Sequence, residues 1–298
     1  MVFLLLSILS STAVFIVFKL IGRYKVNTFS AIIINYITAC SAGFFLSHSS
    51  PFTSQVVQSN WILLSLILGV IFITMFRLIG LSVQKAGVTS TTIASKMSVI
   101  IPILFSIFIE ANDNLTAFKS VGILLALVAV FFASYRSEKR DAKFELGITL
   151  LPFIIFLGVG ILDSLIKYAQ FKYVSEETNL LFSGTTFLAA GLTGFLLLPF
   201  NRQAAKDLIK VKSWLFGILL GLVNFGSTIF MISALNHIDS TTGKQIESSI
   251  LFGINNIGIV TLGVLVGFLF FKERPTKLNW IGISLSFIAI FFLTLNQW

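Results

Sequence analysis

Lys96, Ser98 and Pro102 stand close together inside an apolar run long enough to cross a bilayer. A lysine at that depth costs about 2.5–3.5 kcal/mol on insertion scales. A proline there removes a bond from the helical ladder. A helix that only has to pack gains from neither. The same spacing returns as Glu247, Ser249 and Gly253, with the charge reversed and glycine in place of proline. Three chemistries fit a buried cation and anion at matching positions. Together they bind the carboxylate and amine of a zwitterion; or Glu247 carries a proton; or the two form a structural ion pair, which lowers the cost of both charges. Pro102 and Gly253 are the expected bending points. Ser98 and Ser249 either bond the backbone groups loosened there or touch substrate.

A second acid in an apolar run is Asp163, followed by Ser164 and, one turn on, Lys167. An ionisable group within a membrane span is a candidate proton carrier; the plainer reading bonds Asp163 to Ser164 or Lys167. Four asparagines also fall in apolar runs: Asn35, Asn224, Asn255 and Asn256. Each is a candidate substrate contact, although interhelical asparagines often serve only as glue, at on the order of 0.6 kcal/mol each. Asn255 and Asn256 follow Gly253, where unwinding of the helix would free carbonyls to line a site. Gly217/Gly221 and Gly263/Gly267 have the small-xxx-small spacing of close helix packing.

Other chemistries find little support. His48 and His237 stand alone, and the single cysteine, Cys40, lies in an apolar run. A metal cluster and an intramolecular disulfide are therefore not expected. The chain has no Walker or dinucleotide motif, so no cofactor and no ATP-driven cycle is expected. Ionisable residues are scattered singly at depth. A membrane enzyme or lipid-handling protein would cluster catalytic groups at one interface, so an enzyme is not expected. A channel would need a ring of like charges.

The elements that hold these residues are apolar helices. Of 298 residues, 56% are hydrophobic and 11% charged, with mean hydropathy +0.97; a soluble domain is about 25% charged. Apolar runs of spanning length recur from end to end, without the alternating pattern of an outer-membrane barrel. The expectation is an all-α polytopic membrane protein. Its ten spans are 2–20, 29–46, 61–82, 88–109, 118–135, 146–168, 179–200, 214–235, 243–271 and 278–297. The first ends in Lys19, Arg23 and Lys25 without a small-residue cleavage site, which reads as a retained span. The net charge of +9 comes from residues mostly between spans, so it reports orientation in the membrane rather than a nucleic-acid partner.

The chain reads as two halves. Residues 116–134 and 276–294 align without a gap, sharing Thr116/Thr276, Gly122/Gly282, Ala129/Ala289, Phe131/Phe291 and Phe132/Phe292. An acid, Asp113 or Glu273, precedes each shared glycine by nine residues. Ser-Thr-Thr precedes each half-site, at 90–92 and 240–242, and Trp61 and Trp214 open the third and eighth spans. The expected division is a first repeat over 1–136, a charged link at 137–144 and a second repeat over 145–298. Five spans per repeat is an odd number, so the second copy enters the membrane from the opposite side, an inverted pair. Basic residues favour links one, three and five in the first half, but links seven and nine, the equivalents of two and four, in the second. By this bias the odd links are cytoplasmic and both termini face outward.

The Lys-x-Ser-x-x-x-Pro stretch, the acid-x-Gly spacing and the five-plus-five pattern resemble the drug/metabolite transporter superfamily, in particular the EamA-type ten-helix exporters. The resemblance covers nearly the whole chain. It implies a central cavity lined by spans one, three, four, six, eight and nine. It also implies a small-molecule substrate exported by alternating access, residence in the cell membrane as a multi-pass protein, and a monomer or homodimer among membrane lipids. It places the termini in the cytoplasm, opposite to the charge bias. Gly253 departs from the second proline frequent in such families. An amino acid or similar zwitterion moved with proton coupling through Glu247 or Asp163 is the first substrate reading; an organic cation, as for a multidrug exporter, is the alternative.

Overall fold

A computed structural model describes residues 2–47, 53–109, 117–134, 146–174, 178–235 and 248–295. These residues form helices, with no strand among them. In chain order the helices are α1 (Val2–Arg23), α2 (Thr28–Leu46), the short α3 (Ser54–Val57), α4 (Ile62–Lys85), α5 (Val88–Met97), α6 (Ile100–Ile109), α7 (Ala117–Ser134), α8 (Leu146–Lys172), α9 (Asn179–Leu197), the short α10 (Arg202–Asp207), α11 (Val211–Leu235), α12 (Ser248–Leu269) and α13 (Lys277–Leu295). The expected fourth span is the pair α5–α6. Setting the two short helices aside gives ten helical spans. Seven are long and apolar enough to cross a membrane by length and composition, and three shorter apolar stretches lie in α7, α12 and α13. The chain is thus an all-α polytopic membrane protein.

Local chemistry explains several helix ends. Asn27 caps α2, its side-chain oxygen accepting from the Phe29 and Ser30 amides, which otherwise lack helical partners. The α1 terminus closes with Val26 N–H on the Ile21 carbonyl and Lys25 N–H on that of Gly22. This is the bonding of a Schellman turn, and Lys25 takes the positive φ of 53° that glycine usually supplies. Thr276 and Asn279 bond reciprocally at the start of α13, a capping arrangement written into their three-residue spacing.

The chain divides into two compact units. One comprises residues 1–16, 81–160 and 226–298, the other 17–80 and 161–225. The first, third, sixth and eighth spans contribute residues to both. In the first unit α7 packs on α13, and α5 on α12 and α7. Its core joins Ile93 and Met97 to Val260, Val264 and Ile290. The Asn279 amide donates to the Phe132 and Ala133 carbonyls at 3.0 and 3.1 Å, tying the start of α13 to the end of α7. In the second unit α2 packs on α9, close enough that a Cβ on Gly43 would lie 3.1 Å from the Gly184 Cα. The Gly217/Gly221 pair receives Ile34 and Thr38 of α2, the small-residue contact its spacing suggests. These contacts join spans five apart in order: second with seventh, fourth with ninth, fifth with tenth.

Candidate functional site

The fourth span is interrupted at Ser98 and Val99, just beyond Lys96. Pro102 has no N–H to offer the Ser98 carbonyl four residues back, and its ring crowds that oxygen. The Ser98 carbonyl instead accepts from Ile101 N–H at 2.9 Å, a tighter turn, and the Val99 carbonyl from Ile103 N–H at 3.2 Å. The Ser98 hydroxyl donates to the Ser95 carbonyl at 2.6 Å. α5 therefore ends at Met97 and α6 restarts at Ile100, with Pro102 in its first turn, where a missing N–H costs least. Lys96 falls in the last turn of α5, the negative end of a helix dipole. Its side chain is half-buried. Proline alone does not produce such a break, since α8 runs through Pro152 without one. The serine bonds of the fourth span supply the alternative.

The start of α5 is held from a distance. Gly87, at φ 104°, precedes the helix and offers no side-chain cap. The Glu273 carboxylate takes that part: Oε1 accepts from Val88 N–H at 2.7 Å and Oε2 from Thr89 N–H at 3.1 Å. An anion at a helix N-terminus also meets the positive end of the dipole. Room for it comes from two glycines, since a Cβ on Gly87 would lie 2.9 Å from Oε1 and one on Gly267 2.7 Å from Oε2. The Ser90 hydroxyl donates to the Ala133 carbonyl at 2.7 Å, fastening the same turn to α7. Spacing marked Glu273 only as a signature of the repeat. The readable hint of its task was a helix opening on glycine with no local cap. Its counterpart Asp113 lies outside the described residues.

The ninth span differs from expectation. α12 is a continuous helix over Ser248–Leu269, passing through Gly253, so the unwinding expected there is absent. Glycine lowers helix propensity but keeps its N–H, whereas proline loses it. Glu247 lies outside the described residues, as does the side chain of Ser249. Asn256 is half-buried. Asn255 is buried, and its Oδ1 has no hydrogen-bond partner.

Packing sets the register of the two spans. A Cβ on Gly267 would lie 2.6 Å from Thr89 Oγ1, and one on Gly263 2.8 Å from Thr92 Cγ2. One number rises as the other falls, so α5 and α12 run antiparallel. Carried forward at helical rise, this register brings Lys96 level with Val260 and Pro102 level with Gly253. Asn255 is then about 7 Å along the axis from the Lys96 level, and Ser248, where α12 begins, about 18 Å.

The second unit holds the remaining candidates. The Asn35 and Asn224 amides lie 3.2 Å apart between α2 and α11, both buried. They meet one another, as interhelical glue does. Asp163 and Lys167 are half-buried on α8, and each has interactions within the structure. Arg77 is exposed with its guanidinium 5.3 Å from the Phe29 ring centre, a cation–π contact rather than a buried charge. Tyr36, next to Asn35 in the second span, is another polar residue at depth. It is fully buried, and its hydroxyl has no hydrogen-bond partner. Its ring lies 5.4 Å from that of Phe76 and 6.1 Å from that of Phe187. Among the described residues no group of three His, Cys, Asp or Glu is placed to hold a metal.

Comparisons with known proteins agree with this architecture. The sequence model of the EamA-like transporter family matches residues 146–295. An uncharacterized protein of Haemophilus influenzae is 30% identical over 297 residues, covering 97% of this chain and 96% of its own. A protein of known crystal structure, 13% identical, superposes with a TM-score of 0.62 over 99% of this chain and 96% of that one. The last shows a shared fold.

Proposed function

The chain belongs to the EamA-like transporter family, and we propose that it exports small polar metabolites, amino acids or similar zwitterions, by proton-coupled alternating access in the cell membrane. Membership makes it a multi-pass membrane transporter of the drug/metabolite transporter superfamily. The observation that carries the substrate class is the pairing of a cation and a buried acceptor in one register. Lys96 lies in the last turn of a helix inside a span, and the Asn255 Oδ1 is buried without a hydrogen-bond partner about 7 Å from the Lys96 level along the axis. A carboxylate on Lys96 and an ammonium on Asn255 match the two ends of an amino acid. Ser98 and Asn256 flank these positions. Asn35 and Asn224 contribute by holding α2 to α11.

Glu247 is the first candidate proton carrier and Asp163 the second. The bend of the cycle belongs at Ser98–Val99, where the fourth span is already interrupted. The two five-helix repeats, 1–136 and 145–298, belong to the same proposal. Its support is the packing of the second span on the seventh, the fourth on the ninth and the fifth on the tenth.

A thermal-shift screen of the purified protein against amino acids, nucleosides and amines at two pH values tests this. At least one zwitterion should stabilise the wild type, and Lys96→Ala should abolish that response. Glu247→Gln should retain binding and lose its pH dependence. If both variants respond as the wild type does, the assignment fails. Stabilisation by amines that survives or improves in Lys96→Ala would instead favour an organic cation.

A further inference from the structure

The second unit carries a basic surface. Two links meet there, the turn after α1 and the connection from α9 through α10 to α11. The Ser30 hydroxyl donates to the Ala204 carbonyl at 2.8 Å. The Tyr24 and Phe216 rings lie 5.6 Å apart. The joined links hold six cations and one acid, Asp207. That acid is already engaged: Lys210 and Gln203 bond its carboxylate and hold it below the usual carboxylate range. Arg23, Lys25, Arg202, Lys206 and Lys212 are all exposed.

Apolar side chains stand among these cations. Phe200, Ile209 and Val211 are 87%, 85% and 82% exposed. The Trp214 indole N–H donates to the Leu208 carbonyl at 2.9 Å, fixing an interfacial aromatic where α11 begins. Bare apolar residues interleaved with cations fit poorly in water and well at the headgroup level of a bilayer.

We propose that this surface docks the anionic phospholipid headgroups of the surrounding leaflet, with phosphates on the cations and Phe200, Ile209 and Val211 inserted among the acyl ends. An acidic soluble protein or a nucleic acid would match the charge but leave those side chains in water. A bilayer satisfies both, and the adjoining α9 and α11 are themselves membrane-spanning by composition.

Lipid retention by the full-length protein tests the proposal. Protein in neutral detergent is titrated with phosphatidylglycerol, phosphatidylcholine or inorganic phosphate, and read by native mass spectrometry and thermal shift. The wild type should retain phosphatidylglycerol over phosphatidylcholine. The combined Arg202→Gln, Lys206→Gln and Lys212→Gln variant should lose that retention by about five-fold per cation. Lys277→Gln, an exposed lysine of the first unit, should leave it unchanged. Should the combined variant fold poorly, the three single variants must each show the five-fold step. Equal retention by variant and wild type, equal binding of phosphatidylcholine, or an equal response to inorganic phosphate would overturn the assignment.

Discussion

The fourth and ninth spans carry a serine at the same spacing from an ionisable residue, yet one is broken and the other is not. In the fourth, Pro102 denies the Ser98 carbonyl its usual donor, and Ser98 spends its hydroxyl on Ser95. In the ninth, Gly253 keeps its N–H and α12 runs on. The pair shows that equivalence in sequence does not fix equivalence in backbone; a missing donor decides it where a serine offers the loosened turn another bond. Of the two spans, the ninth is continuous and the fourth interrupted, and the charge beside the interruption is the cation Lys96.

The largest effect that would sharpen this comparison is at Lys96. Truncation to alanine removes a charge partner for a bound carboxylate, worth about 2–5 kcal/mol. Ligand affinity measured by calorimetry should fall at least thirty-fold, with the melting temperature little changed. Unaltered affinity would separate the break from substrate recognition.

Next is the glycine seam that sets the register. Gly267→Val would press a side chain onto Thr89 and the Glu273 carboxylate, each within 2.7 Å of the added Cβ. Overpacking costs about 1–3 kcal/mol, so the melting temperature should drop by several degrees. An unchanged melting curve would mean the two spans can slide, and the levels assigned to Lys96 and Asn255 would lose their basis.

A smaller loss is expected for Glu273→Ala, which uncaps α5. Caps are worth about 0.5–2 kcal/mol. The Val88 and Thr89 amides should exchange with deuterium faster, while those of α12 beyond Gly267 keep their protection. The same increase at both helices would assign Glu273 to general stability instead.

Asp207, outside both spans, supplies the smallest effect and a control. Bonds from Lys210 and Gln203 lower its folded pKa. Its contribution to stability is therefore complete above the unfolded value, about 3.9, and is lost as pH falls through the folded one. Asp207→Asn should flatten the melting temperature against pH on that acid limb and leave ligand binding alone.

Much of the architecture was legible in the sequence because bilayer thickness leaves a mark of fixed length. Apolar runs of spanning length are a local signal. The break near Pro102 was legible too, since the missing N–H is a covalent fact. Longer-range facts were not. Nothing local says that Glu273 reaches back to Val88, or that Asn35 will meet Asn224 across 189 residues. The unwinding expected at Gly253 confused a residue that tolerates bending with one that forces it.

The central claim is that interruption of the fourth span, and not of the ninth, serves transport. Counterflow of a radiolabelled zwitterion into proteoliposomes, with the ligand taken from the thermal-shift screen, tests it most directly on two variants. Pro102→Ala restores the donor to the Ser98 carbonyl and should mend the helix. It should lose most of the exchange rate while melting no lower than the wild type. Gly253→Ala adds a methyl to a helix that is already continuous and should exchange at near the wild-type rate. Equal rates for the two variants, or a greater loss in Gly253→Ala, would contradict the account.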